Sequence, residues 1–214
     1  MPQTFKQRIG AWLRPAIDAA KARGITPNQL SVANLALAAA SGLLLTLFPG
    51  APLPLLIFAV AVLVRLALDL LDGMLARELD QRSELGTLLN DTTEALGAVL
   101  MYLPLALHPG VADWLIVLLV ALGLCAEIVG LSAAQIGGER RADGPFAKRD
   151  RAMLFALVAV ILALDSDAAA WLPWLLVPAV LLTLATIANR LRPALLGQAQ
   201  GQGYLPRDQG DRSP

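Results

Sequence analysis

Cysteine, histidine and charge are all scarce in this 214-residue chain, and each scarcity excludes something. The single cysteine, Cys125, cannot form an intrachain disulfide; lying inside an apolar run, it reads as a small core residue. The single histidine, His108, leaves no second imidazole for a histidine-based hydrolase or zinc arrangement. It falls in a short loop and reads as a surface residue. Only 16% of residues are charged and the formal net charge is zero, so nothing global favours nucleic acid as a partner. Residues 1–28 are too charged for the apolar region of a cleavable signal peptide. No internal repeat is visible. Lysine and arginine are missing altogether from three short stretches, Pro49–Pro54, His108–Asp113 and Asp165–Asp167.

What the chain has is apolar length. Hydrophobic residues make up 57%, above the globular norm of about 45–50%. Leu30–Phe48 and Ala168–Ala188 carry no charge, which reads as two membrane helices. Ala51–Ala76, Leu85–Leu107 and Val111–Gly137 are three more candidates that contain isolated charges. Arg151–Leu164 is short for a span and reads as a sixth helix or a re-entrant segment. The three stretches without Lys or Arg alternate with basic segments: Lys6–Arg23, Arg77–Arg82, Arg140–Arg151 and Arg190 onward. This is the positive-inside pattern for six spans with both termini cytoplasmic. The expected fold is therefore an all-α integral membrane protein with six transmembrane helices, in a bacterial inner membrane. Residues 1–197 read as one membrane domain and 198–214, rich in Gly, Gln, Arg and Asp, as a disordered cytoplasmic tail.

An amphipathic segment comes first, within residues 1–23. Phe5, Ile9, Trp12, Leu13, Ala16 and Ile17 recur at helical spacing, with Lys6, Arg8, Arg14, Lys21 and Arg23 around them. Such a helix can lie in the cytoplasmic interface, or pack on protein. In the following "GITPNQLS", Gly24 can end that helix, while Thr26 can cap the next and Pro27 can begin it.

The costly feature is "DLLDGMLARELDQRSELGTLLNDTTE", residues 69–94. A charge at the centre of a membrane helix costs roughly 2.5–3.5 kcal/mol on insertion scales, so several acids need a compensating role. With Asp69 at zero on a helical wheel, Arg65 falls at about −40°, Asp72 at −60°, Ala76 at −20° and Gly73 at +40°. An antiparallel hairpin turning near Asp80–Arg82 places Asp69 level with Glu94, Asp72 with Asn90, and Ala76 with Gly86. Small residues at one level let backbones approach. Asp72 then lies about 12 Å above the turn, within reach of headgroups and cytoplasmic water. A divalent cation would resolve the repulsion, and oxygen donors suit Mg²⁺ or Mn²⁺. Neutralisation by Arg65 and Arg77 in a salt-bridge cluster is the alternative.

"DLLDGMLAR" followed by "GTLLNDTTE" resembles the signature of the CDP-alcohol phosphatidyltransferases, D-x-x-D-G-x-x-A-R, about eight residues, then G-x-x-x-D-x-x-x-D. Asp69, Asp72, Gly73, Ala76, Arg77 and Gly86 match; Asn90 and Glu94 stand at the third and fourth acidic positions. "TPNQLS" resembles the segment that opens the family's first span. The resemblance implies an enzyme of phospholipid synthesis. An acceptor hydroxyl attacks the phosphorus of a CDP-alcohol such as CDP-diacylglycerol, and CMP leaves. It also implies two Mg²⁺ or Mn²⁺ ions held by Asp69, Asp72, Asn90 and Glu94, and a CDP moiety approached by Gly73, Ala76, Arg77 and Gly86. Glu94 takes the position of general base as well, with neighbouring Asp91 as a second acid. A homodimer with one cytoplasmic-facing site per subunit is implied in the same way.

Two departures bear on activity. Asn90 brings no charge, and Glu94 is one methylene longer than aspartate. Asp91 lies only about 60° from Glu94 around the helix and can compensate. A catalytically silent scaffold and an ion- or proton-coupled transporter using Asp69, Glu94 and Glu127 stay open as alternatives. "GGERRADGPFAKRDRA" adds Arg140, Arg141, Lys148 and Arg149, a candidate phosphate site for a phosphorylated acceptor, or simply the positive-inside signal. Glu127, mid-span, is expected to face a polar cavity and meet Arg65 or a substrate, or to be hydrogen-bonded in a structural role.

Overall fold

The structure, a computed structural model, describes residues 14–79, 84–135 and 143–199. Most of these residues are helical, and no strand occurs among them. Helix α1 covers 14–22. It is followed by α2 (Pro27–Leu47), α3 (Pro52–Glu78), α4 (Glu84–Tyr102), α5 (Asp113–Gln135), α6 (Lys148–Leu164) and α7 (Pro173–Ala199), with single 3₁₀ turns at Leu103–Leu107 and Ser166–Ala170. Helix α7 thus reaches two residues into the expected tail.

The start of α2 follows its sequence signals. Gly24 sits at φ +66°, Thr26 caps, Pro27 enters at the first turn, and Gln29 completes a capping box with Thr26. Four helices, α2, α3, α5 and α7, are long and apolar enough to cross a membrane. Helix α6, with 17 residues and a charged first turn, is the short segment the sequence left open.

Outward faces are apolar: Leu43, Val60, Leu63, Leu164 and Trp174 are all exposed. Lipid is as apolar as these side chains, so close packing rather than escape from water holds the helices together. The inner layer is built from Phe58, Val62, Met101, Leu115, Ile116, Phe155 and Leu176. Tyr102 bridges it, stacked on Phe155 at 4.5 Å and edge-on to Phe58 at 6.3 Å.

Helix pairing differs from the simple hairpin. Helix α2 packs against both α3 and α4, α3 packs on α6, and α5 packs on α7, whereas direct packing between α3 and α4 is slight among the described residues. The reason lies in α2. A Cβ on Gly42 would stand 1.9 Å from the Leu100 carbonyl oxygen, so only glycine lets α2 come this close to α4.

The described part of the N-terminal helix packs on protein. Ile17 is buried with Leu75 near the C-terminal end of α3, and Arg14 and Lys21 both pair with Glu78. Phe5, Ile9, Trp12 and Leu13 lie outside the described residues. Two minor expectations are corrected. His108 is buried, its Nδ1 at 2.8 Å from the Pro109 carbonyl oxygen, because the loops around Gly50 and Pro109 close over it. Cys125 is exposed on α5, on an outer rather than a core position.

Candidate active site

The signature acids sit where α2, α3, α4 and α6 meet. Lys148, the first residue of α6, places its Nζ 2.7 Å from Asp69 Oδ2 and 2.7 Å from Glu94 Oε1. Asp69 and Glu94 therefore share one level, as the sequence register requires, and a single ammonium joins them. Asn90 donates its amide to Glu94 at 3.3 Å, one turn along the same helix.

Helix α2 supplies two further polar partners. Asn34 donates to Asp69 Oδ1, and Ser31 Oγ donates to Asp72 Oδ2 at 2.6 Å. Both are buried and lie three residues apart, on one face of α2. Asp72 is thus held by α2 rather than facing Asn90 directly. Sequence reasoning missed Ser31 and Asn34, although a serine and an asparagine at helical spacing in a span were a usable signal.

Of the residues expected around CDP, Gly73 and Arg77 are exposed and Ala76 is half-buried. Among the described residues nothing lies within 4 Å of where a Gly73 Cβ would be, which leaves its backbone open to approach from them. Gly86 is half-buried at the start of α4. Of the basic loop, Lys148 is drawn into the acid cluster, Arg149 is exposed, and Arg140 and Arg141 lie outside the described residues.

Arg65 crosses from α3 to α4. Its Nη2 donates to the Glu94 carbonyl oxygen at 3.0 Å, and a Cβ on Gly97 would stand only 2.6 Å from that nitrogen. Glycine at 97 is what lets the guanidinium lie against α4. Glu127 does face the interior, but it meets Arg151 (2.7 Å) and Arg190 (3.5 Å) rather than Arg65. Arg151 also donates to the Phe146 carbonyl oxygen at 3.0 Å, and Arg190 to the carbonyl oxygens of Asp143 (2.9 Å) and Ala126. This second cluster ties α5, α6 and α7 to the segment that delivers Lys148.

Between the two clusters lies a cavity of about 260 Å³. Arg65, Asp91, Glu94 and Lys148 line it together with Glu127 and Arg151, and its walls include Tyr102, Leu119 and Phe155. A polar end and an apolar body in one chamber suit a small ligand.

The donor chemistry bears on a metal. Asp69 and Glu94 offer hard anionic oxygens converging on one cation, which fits Mg²⁺ or Mn²⁺. Among the described residues, no three histidine, cysteine or acidic side chains are gathered closely enough to hold an ion.

Comparison with known proteins agrees with this architecture. The family model for CDP-alcohol phosphatidyltransferase matches residues 24–186. Inner membrane protein YnbA of Escherichia coli strain K12 is 36% identical over 196 residues, covering 92% of this chain and 97% of that protein. Among solved structures, Mycobacterium tuberculosis phosphatidylinositol phosphate synthase (PgsA1) in complex with manganese and citrate superposes with TM-score 0.67 at 20% identity, covering 83% of this chain and 86% of that one. The same enzyme with CDP-DAG bound gives TM-score 0.67 at 18% identity, covering 83% and 90%. At such identity the likeness establishes the shared fold. The chain belongs to the CDP-alcohol phosphatidyltransferase family, a class of phospholipid-synthesising enzymes, and is an integral membrane protein.

Proposed function

We propose that this protein transfers a substituted phosphate group from a CDP-alcohol, such as CDP-diacylglycerol, to an acceptor alcohol at the cytoplasmic face of the membrane, releasing CMP. The observation that carries this reading is the convergence of Asp69 and Glu94 on one cation beside the 260 Å³ cavity. The family match and the neighbour bound to CDP-DAG support it.

Asp69, Asp72, Asn90 and Glu94 would hold Mg²⁺ or Mn²⁺, two ions in the family's pattern. Asp69 and Glu94 would exchange the Lys148 ammonium for an ion, and Asp72 would turn from Ser31. Bound metal supplies charge stabilisation at the diphosphate and at the attacking and leaving oxygens. Arg77 and the open backbone at Gly73, with Ala76 and Gly86, receive the CDP moiety. Glu94, seconded by Asp91, takes the proton of the acceptor hydroxyl. Six helices, α2 to α7, cross the membrane with both termini cytoplasmic. A homodimer with one site per subunit completes the reading.

One observation favours a second reading, a silent scaffold: Lys148 already neutralises two of the signature acids, as a structural salt bridge would. CMP release by purified protein, with CDP-diacylglycerol, Mg²⁺ or Mn²⁺ and a panel of acceptor alcohols, separates the two. Metal-dependent CMP release is expected; silence with every acceptor would establish the scaffold.

A further inference from the structure

Three cations line the cavity, and they are not equally matched. Lys148 is paired with Asp69 and Glu94, and Arg151 with Glu127. Arg65, one turn before Asp69 on α3, is 3% exposed, and among the described residues no carboxylate lies within ion-pair distance of its guanidinium. A guanidinium has five N–H donors. Those of Arg65 meet one oxygen, the Glu94 carbonyl at 3.0 Å, and one weak acceptor, Met101 Sδ at 3.9 Å. Its Nε is buried without a partner among the described residues. Arginine does not shed its charge, and buried charges are ordinarily paired. Inside a span such a charge is costly and marks a ligand path. Arg190 also leaves one nitrogen, Nη2, unmatched, but it pairs with Glu127 and does not line the cavity.

We propose that Arg65 is the anion-receiving residue of this cavity, and that the acceptor alcohol carries the anion, a phosphate or a carboxylate. The proposal rests on the phosphatidyl-transfer reading above. The N–H groups not spent on Glu94 or Met101 suit the paired oxygens of either anion. The position suits an acceptor rather than the CDP-alcohol. Gly73, Ala76, Arg77 and Gly86, the residues read as CDP contacts, are not among those lining the chamber. Arg65 is instead fixed to the backbone of Glu94, the residue read as general base, and both residues line the cavity. An acceptor anchored by its anion on Arg65 is thereby held on the wall that carries the Glu94 carboxylate. About 260 Å³ is below the roughly 300–1,000 Å³ of sites for drug-sized ligands, so a small polyol phosphate or hydroxy amino acid fits it.

On sequence grounds Arg65 was a candidate to neutralise the hairpin acids, and Lys148 to bind phosphate. In the fold Lys148 reaches the acids, and Arg65 is left on the cavity wall.

The test uses the full chain in detergent and two readouts. The first is CMP release with Mg²⁺ and CDP-diacylglycerol, comparing glycerol 3-phosphate with glycerol, inositol 1-phosphate with inositol, and serine with ethanolamine. Wild type should favour the anionic member of at least one pair by roughly tenfold or more in kcat/KM, and the pair identifies the anion. Arg65→Gln should raise the KM for that acceptor by roughly ten- to a hundredfold. The KM for CDP-diacylglycerol should hold, and Arg65→Lys should recover part of the loss. No wild-type preference for an anionic member in any pair overturns the proposal, and this arm needs no variant to fold. A folded Arg65→Gln protein that loses kcat alike on every acceptor makes Arg65 structural. A raised KM for CDP-diacylglycerol instead puts the donor diphosphate on Arg65. Either result overturns the proposal. The second readout, thermal stabilisation by glycerol 3-phosphate, inositol 1-phosphate or serine without CDP-diacylglycerol, decides if no acceptor yields CMP. Stabilisation of wild type that Arg65→Gln abolishes then keeps the anion site and defeats the transferase reading alone. No stabilisation of a silent wild type overturns both.

Discussion

Two ionic clusters sit in this apolar bundle, and they are built in opposite senses. Asp69–Lys148–Glu94 has two acids around one base, whereas Arg151–Glu127–Arg190 has two bases around one acid. They differ in where the cation lies: 32% of the Lys148 side chain is exposed in the first, whereas in the second Arg151 is 7% and Arg190 0% exposed and it is the acid, Glu127, that is accessible at 33%. The first is tied to its surroundings by side chains, Asn34 and Asn90. The second is anchored by backbone carbonyls of Ala126, Asp143 and Phe146. An open, net-negative cluster can exchange its cation. A net-positive one whose two cations are buried and fixed to the backbone holds helices in place. Charge within a membrane is expensive in both cases, but only in the first is the cation itself partly accessible.

The largest expected effect falls on the first region. Asp72→Asn removes an acid beside the exchangeable pair and keeps the Ser31 contact sterically possible. Turnover should drop on the order of a thousandfold, with helical content and detergent-solubilised thermal stability unchanged. Wild-type CMP release from this variant would remove Asp72 from the site.

Next comes the net-positive cluster. Arg190→Met leaves the carbonyls of Ala126 and Asp143 without their donor and Glu127 with one cation. Breaking a buried ionic network in this way costs about 3–5 kcal/mol, read as a lowered unfolding temperature. A stability equal to wild type would show that the second cluster is not a clamp.

Lys148→Met sharpens the comparison with a smaller effect. If Lys148 competes with metal for Asp69 and Glu94, its removal should lower the Mg²⁺ concentration for half-maximal rate by several-fold, roughly one to two RT in free energy. A higher requirement would place Lys148 on substrate instead. Asn90→Asp should give the smallest change, a few-fold tighter Mn²⁺ half-saturation with activity kept or raised. Looser half-saturation would mean that residue 90 does not face the ions.

The comparison also marks what the sequence could show. Asp69, Asp72 and Glu94 were legible because acids inside apolar runs have few structural explanations, and their spacing matches a family signature. The cap at Thr26–Gln29 was legible because capping chemistry is local. The wedge of α2 across α3 and α4 was not. It depends on Gly42 meeting the Leu100 carbonyl oxygen 58 positions away, and nothing near Gly42 announces that contact. Arg190 was read as an orientation signal, and Arg151 as part of a basic loop that either orients the chain or binds phosphate, since lysine and arginine flank most spans. Their role as partners of Glu127 needs the packing of α5 on α7, which periodicity does not encode. Glu127 was visible as an anomaly, but its partner was not.

The central claim is that the Asp69–Lys148–Glu94 cluster is the exchangeable centre and the Glu127 cluster is not. Mn²⁺ binding, followed by loss of the free-ion electron paramagnetic resonance signal, tests it on wild type, Asp69→Asn and Glu127→Gln. Wild type should bind Mn²⁺, Asp69→Asn should bind at least roughly tenfold more weakly, and Glu127→Gln should match wild type. Equal binding by wild type and Asp69→Asn, or an equal loss in both variants, would contradict the account.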